Sequence, residues 1–245
     1  MRALYDSKSK TMNDRGIKEL LSNEAKYKTW LLFEAALAKA QAEAGFIPEQ
    51  AAKDIKEAAK IENIDFEEMD RIYRKIGHGF VPFLKVLVNA CPEDSGKYIH
   101  YGITTQNIQQ SSQLYMMKTV HDKFMILLGE ILANLSELAE KSKDMVMTGR
   151  THGRHATPIT YGYKVSVWIS DFIDAYERMK ESEKRVFKIM MGGAVGTFSS
   201  MPEVGIDVQK RVAELTGMYY MEVPSRNIST HKLEYMMNLS LLANI

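Results

Sequence analysis

From Thr105 to about Asp144 the chain contains no proline, and within that stretch Phe124, Leu128, Ile131, Leu135 and Leu138 recur at alternating steps of four and three residues. That spacing keeps one apolar stripe on a single face of an α-helix about 60 Å long. A second long helix is predicted from about Thr160 to Met190, with Val165, Trp168, Phe172, Tyr176, Met179, Val186 and Ile189 sharing a face. Helices of this length need partners of similar length to cover their stripes, which points to an elongated helical bundle.

The remaining segments are shorter. In "NEAKYKTWLLFEAALAKAQAEAG" Asn23 suits an N-cap and Gly45 a C-cap, with Tyr27, Trp30, Leu31 and Leu37 at helical spacing between them. Pro48 opens a short alanine-rich helix. Asp65 with Glu68 has the form of a capping box, ahead of a stripe of Phe66, Met69, Ile72, Tyr73 and Ile76 that Gly77 and Gly79 terminate. After the break "MGGAVGTFSS" a helix is expected over roughly Val204 to Leu215, and a last one begins in "HKLEYMMNLSLLANI" with Leu233, Met236, Met237, Leu241 and Leu242 apolar. The last helix has no stop signal before Ile245, so a longer protein or a covering partner chain is expected. The fold class read from this pattern is all-α. It comprises an N-terminal helical domain over residues 1–104, followed over 105–245 by the first long helices of the bundle.

Composition narrows the functional classes. The chain has 245 residues, and its 32 basic and 31 acidic side chains leave a net charge of +1 with no run of like charge to follow a phosphate backbone. No nucleic-acid partner is expected. The single cysteine, Cys91, cannot form an internal disulfide, the start "MRALYDSKSK" lacks a signal-peptide core, and no apolar stretch would span a bilayer. A cytoplasmic protein with no membrane partner is the expectation.

The chemistry-bearing residues gather in four loops at helix boundaries: "GHG" at 77–79, "HYGITTQN" at 100–107, "GRTHGRH" at 149–155 and "GGAVGT" at 192–197. Hydroxyls and N–H groups at a helix start suit anions, and histidines can move protons near neutral pH. Each feature also has a plainer reading. Thr105 can be an N-cap alone, and His78 can hydrogen-bond a backbone carbonyl at a helix end. His152 and His155 lack the carboxylate or thiol company of a metal site, and "GGAVGT" lacks the lysine of a phosphate loop.

Taken together, the four segments resemble the fumarase/aspartase superfamily, in its branch of adenylosuccinate lyases and 3-carboxy-cis,cis-muconate cycloisomerases. "HYGITTQN" resembles that branch's H-x-G-x-T-S-x-D, "TGRTHGRHATPITYG" its GRT-H-x-x-H-A-x-P-x-T-x-G, and "GGAVGT" its glycine-rich turn; "FEAALAKAQAEAGFIP" is similar to its first long helix. The resemblance runs from about Tyr5 to Ile245. It implies a lyase that removes a proton beside a carboxylate and assists departure of nitrogen or oxygen from the next carbon, usually releasing fumarate.

Carried over by position, the resemblance makes His152 the general acid. His78 contacts the substrate near its phosphate or leaving group, Thr104 and Thr105 hold a carboxylate, and Tyr5, His100 and Thr151 line the pocket. It implies a small dicarboxylate or succinyl-nucleotide substrate, a homotetramer with sites shared between subunits, and no metal or organic cofactor. The family's serine-base loop has no counterpart up to Ile245, so the chain alone is expected to be inactive.

There are departures from the pattern. Leu4 and Gly77 stand where adenylosuccinate lyases commonly carry arginines, Gly79 and Asn107 where they carry aspartates, and Thr105 where they carry serine. The muconate cycloisomerases share the frame from Gly77 to Lys85 but generally lack a histidine matching His152. An adenylosuccinate lyase-like elimination is therefore the leading expectation, with a cycloisomerase or related lyase as the enzymatic alternative and a helical scaffold or binding subunit as the non-enzymatic one.

Overall fold

The structure is a computed structural model, and its described residues are 13–245. Helices dominate: α1 (Ile17–Leu20), α2 (Asn23–Glu43), α3 (Glu49–Ala58), α4 (Phe66–Ile76), α5 (Val81–Asn89), α6 (Glu93–Gly96) and α7 (Thr105–Lys141) precede a hairpin of β1 (Val146–Thr151) and β2 (Arg154–Thr160). Then come α8 (Tyr161–Val186), β3 (Lys188–Ile189), α9 (Gly205–Thr216), β4 (Tyr219–Tyr220) and α10 (Thr230–Leu242). The fold is all-α, as the periodicity implied, and α7 with its 37 residues is about 55 Å long. No helix among the described residues is long and apolar enough to cross a membrane.

The chain divides into two compact units, the first formed by residues up to Thr119 with Phe187–Ser229 and the second by Val120–Val186 with Thr230–Ile245. In the first unit α2 is the central element, packed by α3 on one side and α9 on another. Trp30, Phe33 and Leu37 of α2 are buried with Ile55, Phe80, Phe83, Leu87, Ile108 and Leu114. Trp30 sits edge-on to Phe80 and Phe83 with ring centroids 4.6 and 5.2 Å away, a geometry that aligns the positive ring edge with the negative face. Helix α2 starts one residue earlier than Asn23 would cap it: Ser22 is the N-cap, its hydroxyl accepting from the Ala25 N–H at 3.1 Å.

Helix α4 is bounded as its sequence indicates. Asp65 accepts from the Glu68 N–H at 2.9 Å and Gly77 closes the helix in the left-handed region, but Glu68 pairs with Arg71 instead of returning to the Asp65 backbone. Its apolar stripe is only partly covered: Met69 and Ile72 are half-buried, while Phe66, Tyr73 and Ile76 are each more than 40 % exposed.

In the second unit α8 packs on α10, and Val165, Ala175 and Met179 are buried. Gly162 allows the start of α8 to approach the end of α7, because a Cβ there would lie 2.7 Å from the Ala139 carbonyl oxygen. The His121 ring is buried with its Nε2 3.0 Å from Glu183, which Lys180 also reaches at 3.0 Å. Burial pushes the Glu183 carboxyl up, but these two partners outweigh it and hold the group below its ordinary range. The stripes expected to form a bundle seam are only partly covered. Leu128 is buried while Ile131 and Leu138 are exposed, and on α10 Leu233, Met236, Met237 and Leu241 are all exposed.

Two expectations for the long helices are corrected. The second ends at Val186, four residues before Met190, because the Phe187 and Ile189 carbonyls accept from the Tyr219 and Met221 N–H groups at 2.9 Å in a short parallel ladder that a helix would preclude. The segment between the long helices is not loop but the antiparallel hairpin β1–β2, whose register has a bulge between Thr148 and Arg150.

Two glycines make contrasting tests. Gly196 has φ +86° and a Cβ there would stand 2.0 Å from the Pro224 carbonyl oxygen, whereas Gly153 has φ +73° with open space around it. Gly196→Ala should cost about 3 kcal/mol or more, and Gly153→Ala only the left-handed penalty of about 1–2 kcal/mol, read from urea midpoints. Glu183 gives a pH test. Its folded pKa is depressed, so its contribution is present above the ordinary carboxyl value of about 4.3 and is lost as pH falls through the lower folded value. Thermal midpoints of Glu183→Gln should therefore fall less between pH 6 and 3 than those of the unmodified chain, and identical acid limbs would remove the pair from the account.

Candidate active site

In the first unit, the loop between α6 and α7 carries His100, Thr104 and the start of α7 at Thr105. His100 has φ +61°, a conformation that costs an L-residue about 1–2 kcal/mol. The carboxylate of Glu34, itself 1 % exposed, offsets that cost: it accepts from the His100 N–H at 3.1 Å and lies 2.7 Å from the ring Nδ1. The other ring nitrogen, Nε2, is buried without a hydrogen-bond partner among the described residues.

His100 also forms one wall of a cleft of about 660 Å³ between α4 and α5. Its other lining residues include the apolar Ile72, Ile76 and Leu84 and the cationic Arg71, Lys75 and Lys85. Glu68 in the same cleft is already engaged by Arg71 at 2.6 Å, so the rim carries an excess of positive charge suited to an organic anion. His78, Thr104 and Thr105 do not line this cleft.

Asn107, buried on the first turn of α7, joins two of the segments that the sequence singled out. Its Oδ1 accepts from the Thr104 N–H at 3.1 Å, as the third residue of a helix does in a capping box, and also from the Gly193 N–H at 3.1 Å. One turn on, the buried Ser111 hydroxyl accepts from the Met190 N–H at 3.2 Å. The glycine-rich turn is thereby fixed against the start of α7, and Thr104 and Thr105 stand half-buried at that junction. Sequence reasoning noted Asn107 only as a departure; its spacing of three from Thr104 was the available signal. Glu34 carried no such signal, because it lies 66 residues from its partner.

His78 is exposed, and its Nδ1 accepts from the Phe80 and Val81 N–H groups, each at 3.1 Å. The ring caps the start of α5, and the proton is consigned to Nε2, which faces outward as a donor. This is the backbone-capping role with its polarity reversed: the imidazole accepts from N–H groups instead of donating to a carbonyl.

In the second unit, His152 and Gly153 are the two turn residues of the hairpin, with φ +51° and +73°, flanked by the paired Thr151 and Arg154. Two positive φ values in a two-residue connection match the twist of the strands and are the mark of a type I′ turn. The hairpin base is clipped by the Tyr161 N–H on the Met145 carbonyl at 2.8 Å and the Gly162 N–H on the Ser142 carbonyl at 3.0 Å. His152 and Thr151 are thus held, exposed, at the tip of a braced projection. Tyr5 lies outside the described residues. Among the described residues no three His, Cys, Asp or Glu side chains converge as a metal ion would require.

A sequence profile of the family described as Lyase matches residues 5–245. The chain is 35 % identical over 228 residues to the adenylosuccinate lyase of Methanocaldococcus jannaschii, covering 93 % of this chain and 49 % of that protein. The fumarate lyase of Mesorhizobium sp. BNC1 superposes with a TM-score of 0.88 at 31 % identity, over 94 % of this chain and 54 % of that one. The β-carboxy-cis,cis-muconate cycloisomerase of Acinetobacter calcoaceticus superposes with a TM-score of 0.86 at 28 % identity, over 93 % and 54 %. The chain belongs to the fumarase/aspartase superfamily and spans about half the length of the relatives it matches.

The Asn107 junction is directly testable. Asn107→Ala leaves two backbone donors without their acceptor and should cost about 2 kcal/mol. Amide exchange at Gly193 should accelerate with it, while Asn107→Asp, which keeps the acceptor oxygen, should retain both stability and protection.

Proposed function

We propose that this chain carries the acid half of a non-hydrolytic β-elimination that releases fumarate from a succinyl-type substrate, with adenylosuccinate as the leading candidate. The observation that carries the proposal is the presentation of His152 at the tip of the type I′ hairpin, inside the family's most specific segment. A base removes the proton beside the substrate carboxylate and an enolate-like dianion forms. The bond from the neighbouring carbon to nitrogen then breaks, its electrons stay on nitrogen, and His152 delivers a proton there. Thr104 and Thr105 bind a carboxylate at the start of α7, His78 offers its Nε2–H to the leaving group, and Thr151, His100 and Tyr5 line the pocket.

The base is not among the residues assigned here, and the chain alone is inactive on this reading. The exposed apolar residues of α8 and α10, Val167, Ile173, Met236 and Met237 among them, support a homo-oligomer, taken as a tetramer, in which several copies complete each site. A cytoplasmic place in purine biosynthesis follows if adenylosuccinate is the substrate.

One observation favours a second substrate. Gly77 ends α4 with φ +65°, so an arginine placed there to hold a nucleotide phosphate would carry a left-handed backbone cost of about 1–2 kcal/mol. A substrate without that phosphate, such as a carboxymuconate, suits this feature better.

Fumarate formation from adenylosuccinate by the native gene product tests the leading reading, with lactone formation from 3-carboxymuconate as the comparison. His152→Ala should lower turnover by about a hundredfold or more while far-ultraviolet circular dichroism stays unchanged. Undiminished turnover would remove His152 from the chemistry.

A further inference from the structure

The hairpin has two chemically different faces. Paired residues of an antiparallel ladder project from the same side and successive pairs alternate. Thr151 pairs with Arg154 and Arg150 with His155, so Thr151 and Arg154 share one face and Arg150 and His155 the other. Neither guanidinium is engaged by a carboxylate of its own segment, because no Asp or Glu occurs from Met145 to Ser170. Both are exposed. The pair Thr151 and Arg154 directly flanks the turn that holds His152, where cross-strand Cβ atoms lie about 5 Å apart.

From this register we propose that Arg154, together with the Thr151 hydroxyl, is an oxyanion-binding pair that orients the substrate at His152, and that Arg150 on the opposite face takes no part. The inference rests on the reading that His152 meets the substrate. A planar guanidinium with a hydroxyl beside it matches a carboxylate or phosphate oxygen pair. Two positions on a substrate could supply that oxyanion: a carboxylate of the succinyl portion, or the phosphate of the leaving group.

The test is calorimetric titration of the native gene product with fumarate and, separately, with AMP, for the wild type, Arg154→Gln, Arg154→Lys and Arg150→Gln. The expected result is a dissociation constant raised about tenfold or more by Arg154→Gln for one of the two ligands. Arg154→Lys should restore part of the loss, and Arg150→Gln should stay within about twofold of wild type. Loss of fumarate binding assigns the pair to the succinyl carboxylate; loss of AMP binding assigns it to the phosphate. If Arg154→Gln binds both ligands as the wild type does, or if Arg150→Gln weakens binding equally, the inference is overturned while the functional reading stands. If the wild type binds neither ligand and turns over neither candidate substrate, the functional reading falls and this inference with it.

Discussion

The start of α7 is where the first unit is fastened together. A helix start leaves N–H groups without intrahelical partners, and here the unmet need is shared with a second segment: one carboxamide oxygen of Asn107 serves both Thr104 and Gly193. Ser111, one turn along, does the same for Met190. These contacts are short-range in geometry but join positions 79 and 86 residues apart. Without them the glycine-rich turn, whose close approaches to Pro224 leave no room for side chains at Gly192 and Gly196, would have no fixed position relative to the threonines.

A similar economy holds His100. Its left-handed backbone is unfavourable in isolation, and the buried Glu34 satisfies both its N–H and its ring nitrogen. Strain and a buried carboxylate are each costly alone. Together they hold the His100 ring at a wall of the α4–α5 cleft. The hairpin solves a comparable problem by turn geometry: positive φ at His152 and Gly153 projects the imidazole without help from packing.

The sequence made the helical architecture legible because its signals are local. The proline-free four-three repeat, the Asp65 cap and the left-handed glycine after α4 each depend on a few neighbouring residues, and each appears in the structure. The motif segments were legible for the same reason. The hairpin was not: "TGRTHGRHATP" has no clean alternation, its proline argues against a strand, and only the pairing of Thr148 with Pro158 across a two-stranded sheet shows how that residue is tolerated.

By itself, then, the sequence determined where the longer helices lie and which side chains carry titratable or anion-binding chemistry, since these follow from backbone preference and periodicity. Tertiary structure alone decided that Ile189 belongs to a strand, that Asn107 rather than a threonine side chain unites two loops, and that Glu34 is the partner of His100. The physical reason is the same in each case. Hydrogen-bond partners and strand registers between residues distant in the chain are chosen by the closed packing of the whole unit, and no local pattern encodes which distant donor will meet which acceptor.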